Sequence, residues 1–280
     1  MSDVRCFFVI RWLFSTPIIA KERNRNNQVR LNVFFTPAEI ITSGAQQDDI
    51  YIVIDLIRAT TTLAVMFDQG AARVFVAGSV AQARKAKQQF PGRLLCGERN
   101  VKPVPGFDYG NSPVQFSQLD LSGRELVLTT TNGTRAFFGC PEDAMRLAGC
   151  FYNARAVTSY ALRLAQERNS NIALVCSGEL GYFALDDSVC AGFLALELQR
   201  YSEEFSRETP LLYHESVSAA IALYQAYEPP KVLDYCESAR SVFRAGLNED
   251  PYFCLRTSKS MSVPMVVGKE EGTGMLVLEK

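Results

Sequence analysis

The sequence offers one histidine, His214, among 280 residues. That scarcity removes more chemistry than any other feature of the composition. A Ser-His-Asp or Cys-His arrangement would have to run through His214, and a multi-histidine zinc site is impossible. Its neighbourhood, Leu211-Leu212-Tyr213-His214-Glu215, has no nucleophile elbow and no metal spacing, so a surface or capping role is expected. The eight cysteines include no C-x-x-C pair, and several sit in apolar runs such as Leu94-Leu95-Cys96. That pattern fits reduced, buried thiols in a cytoplasmic protein. Cys140 and Arg146 match a C-x5-R spacing, but no glycine between them can cradle a phosphate, and Glu142 and Asp143 would repel one. Excess positive charge is absent too: 29 Lys and Arg stand against 30 Asp and Glu, which leaves no basic field for nucleic acid or an anionic membrane. No run is long enough to span a bilayer, since the apolar stretch Cys6 to Ala20 is interrupted by Arg11 and Pro17. Internal repeats and low-complexity tracts are missing from residues 29 to 280.

What is present is an alternation of short apolar runs with helix-length amphipathic ones. Tyr51 to Ile57, Arg73 to Ala77, Arg93 to Cys96, Glu125 to Thr130, Met145 to Ala148 and Asn171 to Cys176 read as strands. Between and after them, Thr60 to Gln69, Val80 to Phe90, a segment from about Thr134, Ala154 to Glu167 and Asp186 to Phe205 read as helices. Strand and helix in turn imply crossover units, hence an α/β fold with a largely parallel or mixed sheet, as one large domain or two α/β lobes. Val217 to Tyr227 and Ser238 to Asn248 extend the helical pattern, and Val263 to Val267 with Met275 to Glu279 close the chain as strands. Residues 1 to 28 match no element of this pattern and are expected to be a poorly ordered extension of the domain at 29 to 280.

Three stretches carry candidate chemistry. Thr129-Thr130-Thr131-Asn132-Gly133-Thr134-Arg135 follows a strand and opens a helix; its hydroxyls, amide and guanidinium suit a phosphate-like anion, or simply a polar cap. In Ile54-Asp55-Leu56-Ile57-Arg58-Ala59-Thr60-Thr61-Thr62, a carboxylate and an arginine meet at the end of a buried strand, where α/β sheets bind ligands. The bland alternative is a purely structural pairing of Asp55 with Arg58 or with the helix cap. A D-x-D-x-T phosphatase motif is not present, because its second aspartate is missing. The third group comprises Gly97-Glu98-Arg99-Asn100, the loop Gly106 to Pro113, and Ser177-Gly178-Glu179 with Asp186-Asp187. Asp55, Glu98, Asp108 and Asp187 fall at strand ends or in the loops beside them, and oxygen ligands without histidine fit Mg²⁺.

Together these blocks, with Cys190-Ala191-Gly192, resemble the signatures of the 2-phosphosulfolactate phosphatases, in the right order over about residues 31 to 268. The resemblance implies a Mg²⁺-dependent phosphatase that hydrolyses the ester of 2-phospho-3-sulfolactate or a related small 2-phospho acid, a step of coenzyme M synthesis. On that reading Asp55, Glu98 and Asp187 supply metal oxygens or catalytic acid and base. Arg58, Arg135 and the turn Thr130, Thr131, Asn132, Gly133 and Thr134 hold phosphate, while Arg99 and Asn111 contact the carboxylate or sulfonate. Partners are then a small phosphorylated acid and, as an open point, further copies of the chain in a homo-oligomer, with no nucleic acid and no membrane. Asp186 departs from the family's usual Glu, and the last third matches weakly. The competing reading is a non-catalytic small-anion-binding protein on the same fold.

Overall fold

The computed structural model describes residues 28–44, 47, 49–205 and 211–280, so the expected leader lies outside the described residues, Gln28 excepted. The first half runs β1 (Val29–Phe34), α1 (Ala38–Thr42), β2 (Ile50–Ile54), α2 (Ala59–Asp68), β3 (Arg73–Val76), α3 (Val80–Gln89), β4 (Leu94–Arg99), β5 (Lys102–Pro103), α4 (Pro113–Phe116), β6 (Glu125–Thr129) and α5 (Gly133–Gly139). The second runs β7 (Met145–Ala148), α6 (Ala154–Arg168), β8 (Ile172–Cys176), α7 (Leu185–Phe205), β9 (Leu211–Tyr213) and α8 (Glu215–Ala226). A 3₁₀ turn (Lys231–Asp234), α9 (Glu237–Arg244), α10 (Glu249–Cys254), β10 (Met265–Lys269) and β11 (Leu276–Glu279) complete it.

The strands join in one sheet of order β5-β4-β6-β3-β11-β10-β7-β2-β8-β1-β9. Within it β4, β6 and β3 are parallel to one another, as are β7, β2, β8, β1 and β9. The C-terminal hairpin β10–β11 lies antiparallel between the two groups and stitches them together. This hairpin makes a single mixed sheet out of what the sequence presents as two α/β halves. Strands β2 (IYIVI) and β8 (IALVC) are buried throughout. Burial on both faces is the reason they read as continuous apolar runs without alternation, and each large aliphatic side chain there contributes about 1.5–3 kcal/mol.

The sheet is wound, not flat. Tyr51 and Val53 of β2 share one apolar cluster with Val74 and Val76 of β3 and Leu126 and Leu128 of β6, filled in by Leu63, Met66 and Phe67 of α2 and Phe137 of α5. The opposite face of β2 packs on α6, α7 and α8. Right-handed strand twist of about 20–25° per pairing accumulates across the hairpin. The C-terminal ends of β2 and β6, distant in strand order, come together where Gly133 packs on Asp55.

Some boundaries differ from the sequence reading. Strand β2 stops at Ile54, three residues early, because Asp55 and the hydroxyls of Thr60 and Thr61 turn the chain into α2: Thr60 Oγ1 donates to Asp55 O (2.9 Å) and Thr61 Oγ1 to Leu56 O (3.0 Å). The expected helix over Ser238 to Asn248 ends at Arg244, and α10 follows it. His214 caps α8, accepting from Ser216 N at 3.2 Å.

Candidate active site

Where the C-terminal ends of β2, β4, β6 and β8 meet, a crevice of about 350 Å³ opens. Its walls include Asp55, Arg58, Glu98, Asn111, Thr130, Thr131, Asn132 and Glu179. A crevice at the carboxyl ends of parallel strands is where open α/β sheets take ligands.

Asp55 sits at its floor. Oδ1 accepts Ala59 N–H at 3.1 Å, while Gly133 of the facing turn packs directly on Oδ2. Burial pushes the carboxyl up to about 6; the Ala59 amide opposes this, and the charges of Glu98 and Glu179 add to it. The pairing with Arg58 does not form. Arg58 Nη1 instead donates to Asp250 Oδ2 at 2.9 Å, both side chains being buried, and Nη2 donates to Val101 O at 3.0 Å.

Glu98 holds two turns at once. Oε1 accepts Thr131 N–H and Oε2 accepts Val101 N–H, each at 2.8 Å. Val101 is a β-branched residue at φ 69°, a conformation that costs roughly 1–2 kcal/mol. It is kept there by Glu98 on its N–H and Arg58 on its carbonyl. Gly97, one residue before Glu98, lies at φ 147° with the Thr129 carbonyl where a Cβ would be, so no other residue fits.

The threonine turn departs from a simple cap. Asn132 occupies the N-cap position of α5 without capping it; Thr130 Oγ1 does so, accepting Thr134 N–H at 3.2 Å. The Asn132 amide reaches across to the loop after β8, donating to Glu179 Oε2 (2.9 Å) and accepting Leu180 N–H (3.1 Å). Burial raises the Glu179 pKa against the Asn132 hydrogen bond, with Glu98 and Glu237 adding to the rise.

Several residues expected at the site are placed elsewhere. Asp187 does not line the crevice: its Oδ1 accepts Leu56 N–H (2.8 Å) and its Oδ2 Gly178 N–H (3.0 Å), bracing the loops after β2 and β8. Arg99 folds back on β6, donating to Glu98 O (2.6 Å) and Thr129 Oγ1 (2.9 Å). Arg135 is exposed on the first turn of α5, off the crevice wall. Asp108 braces β4 through Leu95 N–H at 2.7 Å. Thr134 is buried, its hydroxyl given to Thr130 O at 2.9 Å. Conversely Lys102, Ser238 and Arg244 line the crevice, and Asp250 stands behind it, with no motif in the sequence to mark any of them.

Two polar atoms of the wall have no protein partner although they are buried: Asn111 Oδ1 and Thr131 Oγ1. An unsatisfied buried polar group costs about 1–3 kcal/mol. Among the described residues no three His, Cys, Asp or Glu side chains gather at metal-binding spacing. No helix there is long and apolar enough to cross a membrane.

Fold and crevice thus define an α/β protein with a polar crevice at the carboxyl ends of its parallel strands. The family model described as 2-phosphosulpholactate phosphatase matches residues 34–269, and the chain belongs to that family of phosphoric monoester hydrolases. A relative from Parasynechococcus marenigrum, named probable 2-phosphosulfolactate phosphatase, is 34% identical over 247 residues, covering 87% of this chain and 97% of its own. Proteins of the same name from Deinococcus radiodurans and Thermus thermophilus are 34% and 33% identical, covering 78% and 86% of this chain and 88% and 96% of theirs.

Proposed function

We propose that the chain hydrolyses the phosphate ester of 2-phospho-3-sulfolactate, or of a closely related 2-phospho acid, in this crevice with Mg²⁺. The observation that carries the reading is the unpartnered pair Asn111 Oδ1 and Thr131 Oγ1 beside Asp55 and Arg58, in a chain of this family. Open polar atoms, a guanidinium and a carboxyl raised to about 6 are the groups a phosphate ester needs in order to be held and cleaved.

Charge balance supports a divalent cation. Asp55, Glu98 and Glu179 on the wall offset Arg58, Lys102 and Arg244. A substrate with phosphate, carboxylate and sulfonate brings roughly four negative charges, which such a wall does not neutralise. Mg²⁺ typically uses only one or two protein carboxylates, with waters and substrate phosphate completing its shell, so the lack of a three-ligand cluster does not disfavour it. Asp55 and Glu98, both on the crevice wall, are the two that would hold it. Bound there, the ion would neutralise phosphoryl oxygens and orient the attacking water.

The chain's own groups do the rest. Arg58, with Nη1 and Nη2 each committed to one protein acceptor, retains further N–H donors for the phosphoryl oxygens. Thr131 donates its hydroxyl to a polar oxygen of the substrate, and Asn111 Oδ1, which can only accept, would face the cation or a water bound beside it. Glu179, whose pKa burial raises and whose carboxyl Asn132 orients, is the group placed to serve as the acid for the departing oxygen of the lactate.

Phosphate release from 2-phospho-3-sulfolactate, with Mg²⁺ and with a chelator, tests the reading, and a panel of short phosphorylated acids fixes the substrate. Cation-dependent release is expected. A folded protein that binds phosphate yet releases none from any 2-phospho acid would establish the anion-binding alternative instead.

A further inference from the structure

We propose that Asp250, on the short helix α10 and outside the motif stretches picked out in the sequence, is the positioning residue that aims Arg58 at the ligand's phosphate. The inference rests on the function proposed above for Arg58 but concerns a residue with no assigned role.

Three observations carry it. Arg58 is only 3% exposed and still belongs to the crevice wall, and its Nη1 donates to Asp250 Oδ2 at 2.9 Å. The second carboxylate oxygen is also committed: Asp250 Oδ1 accepts Ser112 Oγ at 2.6 Å, so the carboxylate is held at both ends and cannot swing away from the arginine. Ser112 in turn accepts Gln115 N–H (3.1 Å) as the cap of α4 and directly follows Asn111, whose buried side-chain oxygen is unpartnered at the same wall. One carboxylate on α10 therefore sets the orientation of the arginine and anchors the segment that presents Asn111.

The placement argues against a purely structural pair. Buried ion pairs are weak stabilisers, often replaceable by apolar residues without loss, and this one stands at the wall of a cleft. A guanidinium free to rotate would meet a phosphoryl group with a single N–H; one fixed from behind presents its remaining donors in a set plane. Asp250 does not touch the ligand in this scheme. It acts through Arg58.

A double-mutant cycle tests the proposal, with inorganic phosphate binding by calorimetry as the readout and turnover of 2-phospho-3-sulfolactate as a second one. Asp250→Asn keeps the shape and removes the charge; it should weaken phosphate binding by about tenfold and lower kcat/KM by at least as much. In an Arg58→Ala background the same change should weaken phosphate binding by less than about twofold, because its target is gone. Ser112→Ala, milder and safe for folding, should weaken binding about threefold with the melting temperature held within a few degrees. If Asp250→Asn does not fold, the Ser112→Ala measurement decides alone. Independent, multiplying effects of the Asp250 and Arg58 changes would overturn the proposal, as would unaltered phosphate binding in either single variant or none in the wild type. A wild type that binds phosphate in this coupled way but turns over no ester would leave the positioning role standing and overturn only the catalytic reading.

Discussion

Gly133 and Asp55 are in contact across the crevice floor: a Cβ on Gly133 would lie 2.6 Å from Asp55 Oδ2 and 2.7 Å from Ala59 Cβ. The glycine here supplies space, not conformational freedom. It lets the turn after β6 close onto the carboxylate after β2, joining the two halves of the sheet at the point where chemistry is proposed.

Gly133→Ala should therefore push the turn away from Asp55. The expected cost is about 1–3 kcal/mol of stability, with turnover reduced by roughly tenfold or more in the protein that remains folded. Chemical denaturation and phosphate release, measured on the same preparation, check both; a variant with unchanged turnover would show that the contact is incidental.

Asp55 and Asp187 should separate by what they damage. Asp55→Asn is expected to lower turnover by at least about a hundredfold, as for loss of a principal electrostatic group. Asp187→Asn keeps one good acceptor for two backbone N–H groups, so one of Leu56 N and Gly178 N loses its partner, at about 1–3 kcal/mol. Turnover and melting temperature of both variants, with and without Mg²⁺, make the comparison. Near-normal stability together with abolished turnover for Asp187→Asn would return that residue to the catalytic group.

The buried acids predict a pH dependence of stability. Burial, and then the charge of Asp55, push the Asp186 carboxyl from its ordinary value of 3.8 up to about 7. Across that window the folded chain binds a proton that the unfolded chain does not, so its stability is greatest below about pH 4 as far as this group is concerned and declines as pH rises to about 7. Asp55, raised to about 6, acts in the same direction. Asp186→Asn removes the liability and keeps an acceptor for Ser238 Oγ. In metal-free protein its melting temperature should gain on the wild type between pH 5 and 8; a constant gap would show that Asp186 is already charged at pH 5.

A thiol mechanism through Cys140 is not expected. Burial pushes this thiol up to about 12 despite the nearby Arg146, and Sγ donates to Ala136 O at 3.4 Å. Cys140→Ser should keep phosphate release within a small factor of wild type. Loss of release in a folded Cys140→Ser protein would revive the C-x5-R reading.

Much of the local architecture was legible in the chain itself. The alternation of apolar runs and amphipathic segments located the strands and helices, because side-chain periodicity and capping act over a few residues. Asp55 at the end of β2, Glu98 at the end of β4 and the Thr130 to Gly133 turn follow from the same local signals, and all three stretches do meet at the crevice. Which way each side chain points is another matter. Arg135 faces solvent, Arg99 folds onto its own sheet, and Asp187 spends both oxygens on backbone amides. Those outcomes depend on helix phase and on neighbours supplied by other elements. The partner of Arg58 could not be read locally either, since Asp250 lies 192 residues along the chain and is brought to it by the packing of α10 on α4. Likewise the C-terminal hairpin, two short strands at the end of the sequence, decides that the two parallel groups form one sheet, in which Gly133 comes against Asp55. Short-range patterning determined the pieces and their order; strand pairing over long loops and the close packing of buried polar groups decided which of those pieces face one another.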